Sequence, residues 1–206
     1  MKIELQEIGR RYNQNWIFRN FNGRFESNTR YAILGSNGSG KSTFLKVLSG
    51  ALTPSEGKIR FHAKAEEIDI DKAYTQVSYA APYIELLEEF TLDEMMDFHF
   101  RFKKMQYRFS KEEILSFIGL KNARFRELRY FSSGMKQRVK LALACFADSP
   151  LVLLDEPASN LDSEGEQWYL DLVEKTWEEN RILVVASNRK EEYGFCTQHI
   201  YIKDYK

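Results

Sequence analysis

Residues 31–43 read YAILGSNGSGKST, an apolar run followed at once by glycines, a lysine and hydroxyls. From Gly35 to Ser42 the spacing is G-x-x-x-x-G-K-[ST]. Gly35, Gly38 and Gly40 let the backbone turn successive N–H groups inward around an anion. A helix is predicted to start near Lys41, where its free N–H groups and positive dipole end add to the pull on phosphate. Lys41 is then expected to reach the β- and γ-phosphates of a nucleotide, and the Ser42 hydroxyl to ligate Mg²⁺. Ser36, Asn37, Ser39 and Thr43 complete the candidate phosphate loop.

The context on both sides agrees. YAIL is a short buried strand, and STFLKVLSG after it has the pattern of a helix. Upstream, KIELQEI alternates as a half-buried strand does. WIFRNFNGRFE reads as two short strands separated by a turn at Asn22–Gly23. Downstream, TPSEGKIRF is a turn and a strand, and QVSYA is another strand, ended by Pro82.

From Thr91 to about Ser132 the pattern becomes helical and polar. Thr91–Glu94 and Ser110–Glu113 have the form of capping boxes. SGMKQRVKLALACFAD is a long helix, and SEGEQWYLDLVEKTWEE another, with a third capping box expected at Ser163–Glu166. LVLLD and ILVVAS are continuous apolar runs, as in parallel strands buried on both faces. HIYIKD reads as a closing edge strand. This alternation points to an α/β domain with a largely parallel sheet.

Composition narrows the function. The 206 residues balance 30 Lys and Arg against 30 Asp and Glu, which leaves no electrostatic footprint for nucleic acid. No apolar run is long enough to span a bilayer, and MKIELQEIG is not a signal peptide. The expectation is a cytoplasmic protein. Cys145 and Cys196 are too few for a disulfide framework, and His62, His99 and His199 lack metal-ligand spacing.

The sequence LVLLDEP supplies the carboxylates that a phosphate loop needs, at the C-terminal end of a buried strand. Asp155 is expected to hold Mg²⁺, and Glu156 to orient or deprotonate an attacking water. With FSSGMKQR before it and ASNLD after it, the order of motifs resembles the ATP-binding subunit of an ABC transporter over almost the whole chain. The resemblance implies a P-loop NTPase core with an N-terminal antiparallel β subdomain. It places the core at 1–82 and 133–206 and a small α-helical insert at 83–132, within one domain spanning 1–206. It further implies that Ser132, Ser133 and Gly134 act as the signature motif, reaching ATP in trans across a head-to-tail dimer. SNLD (159–162) resembles the D-loop at the same contact. Tyr12 matches the aromatic that stacks on adenine, with Trp16 as the alternative.

Two positions depart from the family. Pro82 stands where a glutamine is usual, and Gln76 lies upstream on the strand. Asn188 stands where a histidine usually contacts the γ-phosphate; its amide can donate but cannot carry charge. The implied function is ATP binding and hydrolysis, with ATP and Mg²⁺, as the motor of a transporter. The partners are then a second ABC ATPase, identical or related, and a transmembrane permease docked at Tyr83–Phe90, which would hold the chain at the inner face of the membrane. Two alternatives stay open. One is a soluble ABC-type ATPase in an assembly process; the other is a nucleotide-gated dimerising module with little turnover.

Overall fold

The computed structural model describes residues 1–63 and 66–206. In chain order the elements are β1 (Lys2–Tyr12), β2 (Asn15–Glu26), β3 (Thr29–Leu34), α1 (Lys41–Leu48), β4 (Glu56–Ala63), β5 (Glu66–Ile68) and β6 (Val77–Ala80). There follow α2 (Leu92–Phe102), α3 (Lys111–Phe117), α4 (Ser133–Phe146), β7 (Leu151–Asp155), α5 (Ser163–Thr176), β8 (Ile182–Ser187), α6 (Lys190–Tyr193) and β9 (Gln198–Tyr201). They form two compact units. One comprises Met1–Tyr79, Pro150–Glu156 and Glu178–Lys206; the other comprises Ala80–Ser149 and Pro157–Trp177. The expected helical insert, 83–132, lies within the second unit, which also takes in α4 and α5.

The first unit carries two sheets. One is antiparallel, in the order β2-β1-β4-β5; the other has the order β6-β7-β8-β3-β9, with β7, β8, β3 and β9 paired in parallel. Every residue of β7 and β8 is buried, as the apolar runs require of strands covered on both faces. Between the sheets lies one core. Phe44 of α1 is fully buried, with its ring edge-on to Phe18 at 5.4 Å and to Phe21 at 4.8 Å. Leu153 and Val184 of the parallel sheet join the same cluster. Aromatic edges directed at ring faces satisfy the ring quadrupoles as well as filling space.

The N-terminal hairpin corrects the sequence reading. β2 runs unbroken through Asn22–Gly23, and the chain reverses at Asn13–Gln14, where Asn13 is left-handed with φ of 53°. Asn22 serves a different purpose. Its Oδ1 accepts from the N–H of Glu7 at 2.9 Å, where β1 bulges and Glu7 has φ of 50°. Gly23 is needed because a Cβ there would lie 2.8 Å from the Phe21 ring. Gln76 is also displaced from its expected strand: it ends a 3₁₀ turn, and β6 begins one residue later.

In the second unit the capping boxes at Thr91–Glu94 and Ser110–Glu113 are both formed. The third is not. Asp162 caps α5, its Oδ1 accepting from the N–H of Gly165 at 2.8 Å, because Asp162 keeps an extended backbone while Ser163 is already helical. Buried Gln106 stitches the ends of α4 and α5, its Nε2 donating to the carbonyls of Cys145 at 2.8 Å and Thr176 at 3.3 Å. No helix among the described residues is long and apolar enough to cross a membrane.

The three-phenylalanine contact around Phe44 sets an expected cost. Phe44→Ala should lower unfolding stability by about 3–5 kcal/mol, as truncation of a buried aromatic does, measured by urea denaturation.

Candidate functional site

Register in the parallel sheet decides where the site forms. Leu34 pairs with Ser187, and Asp155 with Ala186. The C-terminal ends of β3, β8 and β7 therefore stand level, and the three loops leaving them begin side by side. In open α/β sheets this edge is where ligands bind.

The loop after β3 adopts its turn through glycines that no other residue replaces easily. Gly40 has φ of 108° and forms the N-cap of α1, and a Cβ on it would lie 2.4 Å from Ile17 Cγ2. Gly38 is left-handed at φ of 74°. Inside the loop the N–H of Ser39 donates to the carbonyl of Ser36 at 3.0 Å. The buried Ser39 Oγ has no hydrogen-bond partner among the described residues. No acidic side chain occupies the first turn of α1, so the positive end of that helix is not neutralised from within its own first turn.

Lys41 is buried, 4% exposed, and its Nζ donates to the carbonyls of Gly35 at 2.9 Å and Ser36 at 3.2 Å. A buried ammonium needs such partners. The same Nζ lies 4.0 Å from Glu156 Oε1, which reaches in from the end of β7. Glu156 takes the unusual φ of 43°, and its N–H is tied to the Ala186 carbonyl at 2.9 Å. Left-handed backbone at a non-glycine costs about 1–3 kcal/mol and is found where position matters more than comfort. Asp155 is buried, and its Oδ2 accepts from the hydroxyl of Tyr79 on β6 at 3.4 Å. From the loop after β8, Asn188 Nδ2 donates to Asn37 Oδ1 at 3.1 Å. The turn is held by the Arg189 N–H donating to Ser187 Oγ at 2.9 Å.

Lys41, Asp155, Glu156, Asn37 and Asn188 are thus brought together by strands β3, β7 and β8. Tyr12 stands at the end of β1, exposed, with the Arg10 guanidinium 4.7 Å from its ring centroid. In the second unit Ser132 caps α4, its Oγ accepting from the N–H of Met135 at 3.2 Å. Ser132, Ser133 and Gly134 line a cleft of about 420 Å³ with Arg138 and Asn160. Gly134 is close-packed, since a Cβ there would lie 3.1 Å from the carbonyl of Asn160.

A groove of about 530 Å³ lies along Ile84–Glu89, closed by Lys136 and Lys140. Lys136 bonds Glu88 and holds its carboxyl below the usual range. Lys140 donates to the Pro82 carbonyl at 2.7 Å, and burial pushes its ammonium below the usual lysine range.

Residues 18–159 match the model of the family described as ABC transporter. The chain belongs to this family. Among curated relatives, the ABC transporter ATP-binding protein YybJ of Bacillus subtilis is 29% identical over 92% of this chain and 87% of its own length. The cytochrome c biogenesis ATP-binding export protein CcmA of Rhizobium johnstonii is 28% identical over 92% of this chain and 89% of its own. Among solved structures, the dimeric ATP-binding cassette MJ0796 bound to ADP and Pi superposes with a TM-score of 0.82 at 23% identity, covering 98% of this chain and 94% of that one. An ABC transporter ATP-binding protein of Pyrococcus furiosus gives 0.82 at 20% identity, with both chains fully covered. The chain is an ABC-type ATP-binding subunit with a P-loop NTPase fold, and ATP hydrolysis is the general activity of the family.

Three contacts within this ABC cassette were not foreseen in its sequence: the Tyr79 hydroxyl on Asp155, the amide bridge from Asn188 to Asn37, and the Arg10 guanidinium over Tyr12. The first two join residues 76 and 151 positions apart, and no local pattern announces a pairing at that range. The third was signalled, since positions i and i+2 of a strand share a face.

Gly40 carries the clearest test of the loop. Gly40→Ala places a methyl against Ile17 and strains the N-cap of α1. It should cost about 1–3 kcal/mol of stability and weaken ATP retention, read by thermal unfolding with and without ATP.

Proposed function

We propose that this chain hydrolyses ATP as the motor subunit of a transporter, closing head to tail on two ATP molecules with a second copy or a related cassette. The observation that carries the reading is the meeting of Lys41 Nζ and Glu156 Oε1 at 4.0 Å, at the mouth of a loop that also holds the buried Ser39 hydroxyl and the N-terminus of α1. The residues fit a magnesium nucleotide. N–H groups of the loop Gly35–Thr43 cradle the phosphates, with Lys41 moving from the carbonyls of Gly35 and Ser36 to phosphate oxygens. Ser42 and buried Asp155 would hold Mg²⁺, which when bound would neutralise charge on the phosphate oxygens.

Glu156 then accepts a proton from the attacking water. Its tie to Ala186 holds the backbone while 42% of its side-chain surface stays open for a water to approach. Tyr12 stacks on the adenine. Ser132, Ser133 and Gly134 serve the partner's ATP, since the N-terminus of α4, 14 residues long, offers N–H groups to a phosphate. MJ0796, the structural neighbour described above, is a dimer, which supports the paired arrangement.

The permease is proposed to dock in the groove at Tyr83–Phe90. Glu88 is held by Lys136, whereas Glu85 and Glu89 line the groove beside the partly exposed Leu87. An apolar helix with basic residues complements that surface.

Two observations favour a slower machine. The Asn188 amide is engaged by Asn37, and Pro82, which has no side-chain amide, presents its carbonyl to Lys140. A nucleotide-gated module with little turnover is the second reading.

Phosphate release from ATP separates the two. At concentrations that allow dimers, Glu156→Gln should lower turnover about 10²–10⁴-fold, the range for loss of a general base, with ATP still bound. Equal, near-zero release from both proteins would favour the gated module. Reversing both Glu85 and Glu89 to lysine should abolish co-purification with the permease while leaving ATP binding unchanged; retained co-purification would remove the groove from the account.

A further inference from the structure

The end of the β1–β2 hairpin carries two aromatic rings, Tyr12 and Trp16, among three guanidiniums, and the rings are not equivalent. Two guanidiniums lie over Trp16, Arg19 at 4.5 Å and Arg11 at 5.4 Å from the ring centroid. Arg19 is itself clamped by Glu56 through bonds of 2.7 and 3.1 Å. Trp16 also covers Gly9, where a Cβ would lie 3.0 Å from its ring. It is a packed residue, crowded by neighbours.

Tyr12 is different. It is 47% exposed, next to the left-handed turn at Asn13, and one guanidinium, that of Arg10, lies over its ring at 4.7 Å. Arg10 is anchored elsewhere: its Nη1 donates to the carbonyl of Thr53 at 3.1 Å. Its Nε is buried without a hydrogen-bond partner among the described residues, a cost that the cation–π contact partly offsets. The chain thus fixes a cation against an aromatic ring that remains half open to solvent.

We propose that Arg10 is a positioning residue for the nucleotide base, holding the Tyr12 ring as a one-sided platform on which a purine stacks. The inference rests on the reading of the chain as an ATP-binding motor with Tyr12 at the base. Two physical effects favour it. A ring pinned by a fixed guanidinium loses less side-chain freedom when the base arrives. A cation behind the ring also draws electron density from it, which suits stacking against an electron-rich purine.

Calorimetric titration with ATP and with tripolyphosphate, which has no base, tests the idea on the full chain. Arg10→Ala should weaken ATP binding about two- to fivefold, the scale of one exposed cation–π contact, and leave tripolyphosphate binding unchanged. Arg10→Lys, which keeps the charge without the planar fork, should fall between the two and carries the same comparison if the alanine variant unfolds. In a Tyr12→Ala background the Arg10→Ala loss should disappear, because the two residues act as one unit.

Three results would overturn the proposal: ATP affinity unchanged in Arg10→Ala, ATP and tripolyphosphate weakened alike, or losses from the two residues that simply add. A wild-type chain that does not bind ATP overturns the nucleotide reading itself. A Tyr12→Ala chain with wild-type ATP affinity removes Tyr12 from the base, and Arg10 with it.

Discussion

The parallel register of β3, β8 and β7 is the constraint on which the remainder depends. Leu34 opposite Ser187 and Ala186 opposite Asp155 bring three strand ends level. A shift of one residue in a parallel ladder would turn each side chain to the other face of the sheet. Asp155 would then point away from the loop after β3, and Glu156 would no longer meet Lys41. Complete burial of β7 and β8 prevents such a slip, because it would carry Asp155 off the edge and leave apolar positions unfilled.

On that frame the chain tolerates local strain. Glu156 sits at positive φ, and among the described residues Lys41 is a buried charge that donates to two carbonyls and lies 4.0 Å from a carboxylate. Each is unfavourable alone. Together they leave a cation, a carboxylate and a helix start converging at the loop after β3, with no acidic residue in the first turn of α1 to compete.

The departures from the family pattern become intelligible as contacts. Asn188 lacks the charge of a histidine but bridges to Asn37, joining the loop after β8 to the phosphate loop through neutral amides. Pro82 supplies a carbonyl that Lys140 grips from α4. The groove beside it is lined by acidic, apolar and lysine side chains, and the segment after β6 is held at both its start and its middle, at Pro82 by Lys140 and at Glu88 by Lys136.

The sequence by itself determined the elements whose signals are local. The glycine spacing of residues 35–40 dictates the turn after β3, the runs LVLLD and ILVVAS dictate buried parallel strands, and the hydroxyl–carboxylate pairs at Thr91 and Ser110 cap their helices, because each depends on neighbours within a few residues. Where two local readings competed, packing chose. Asn22–Gly23 has the composition of a turn, yet it lies inside β2, since Asn22 is drawn to the bulge at Glu7 and Gly23 makes room for Phe21. Ser163 lost the cap of α5 to Asp162 through one residue of backbone angle. Only the tertiary structure decided that Tyr79 reaches Asp155 and that Asn188 reaches Asn37. Those bonds close gaps of 76 and 151 residues, and their geometry is set by strand register and core packing rather than by any pattern in the chain near them.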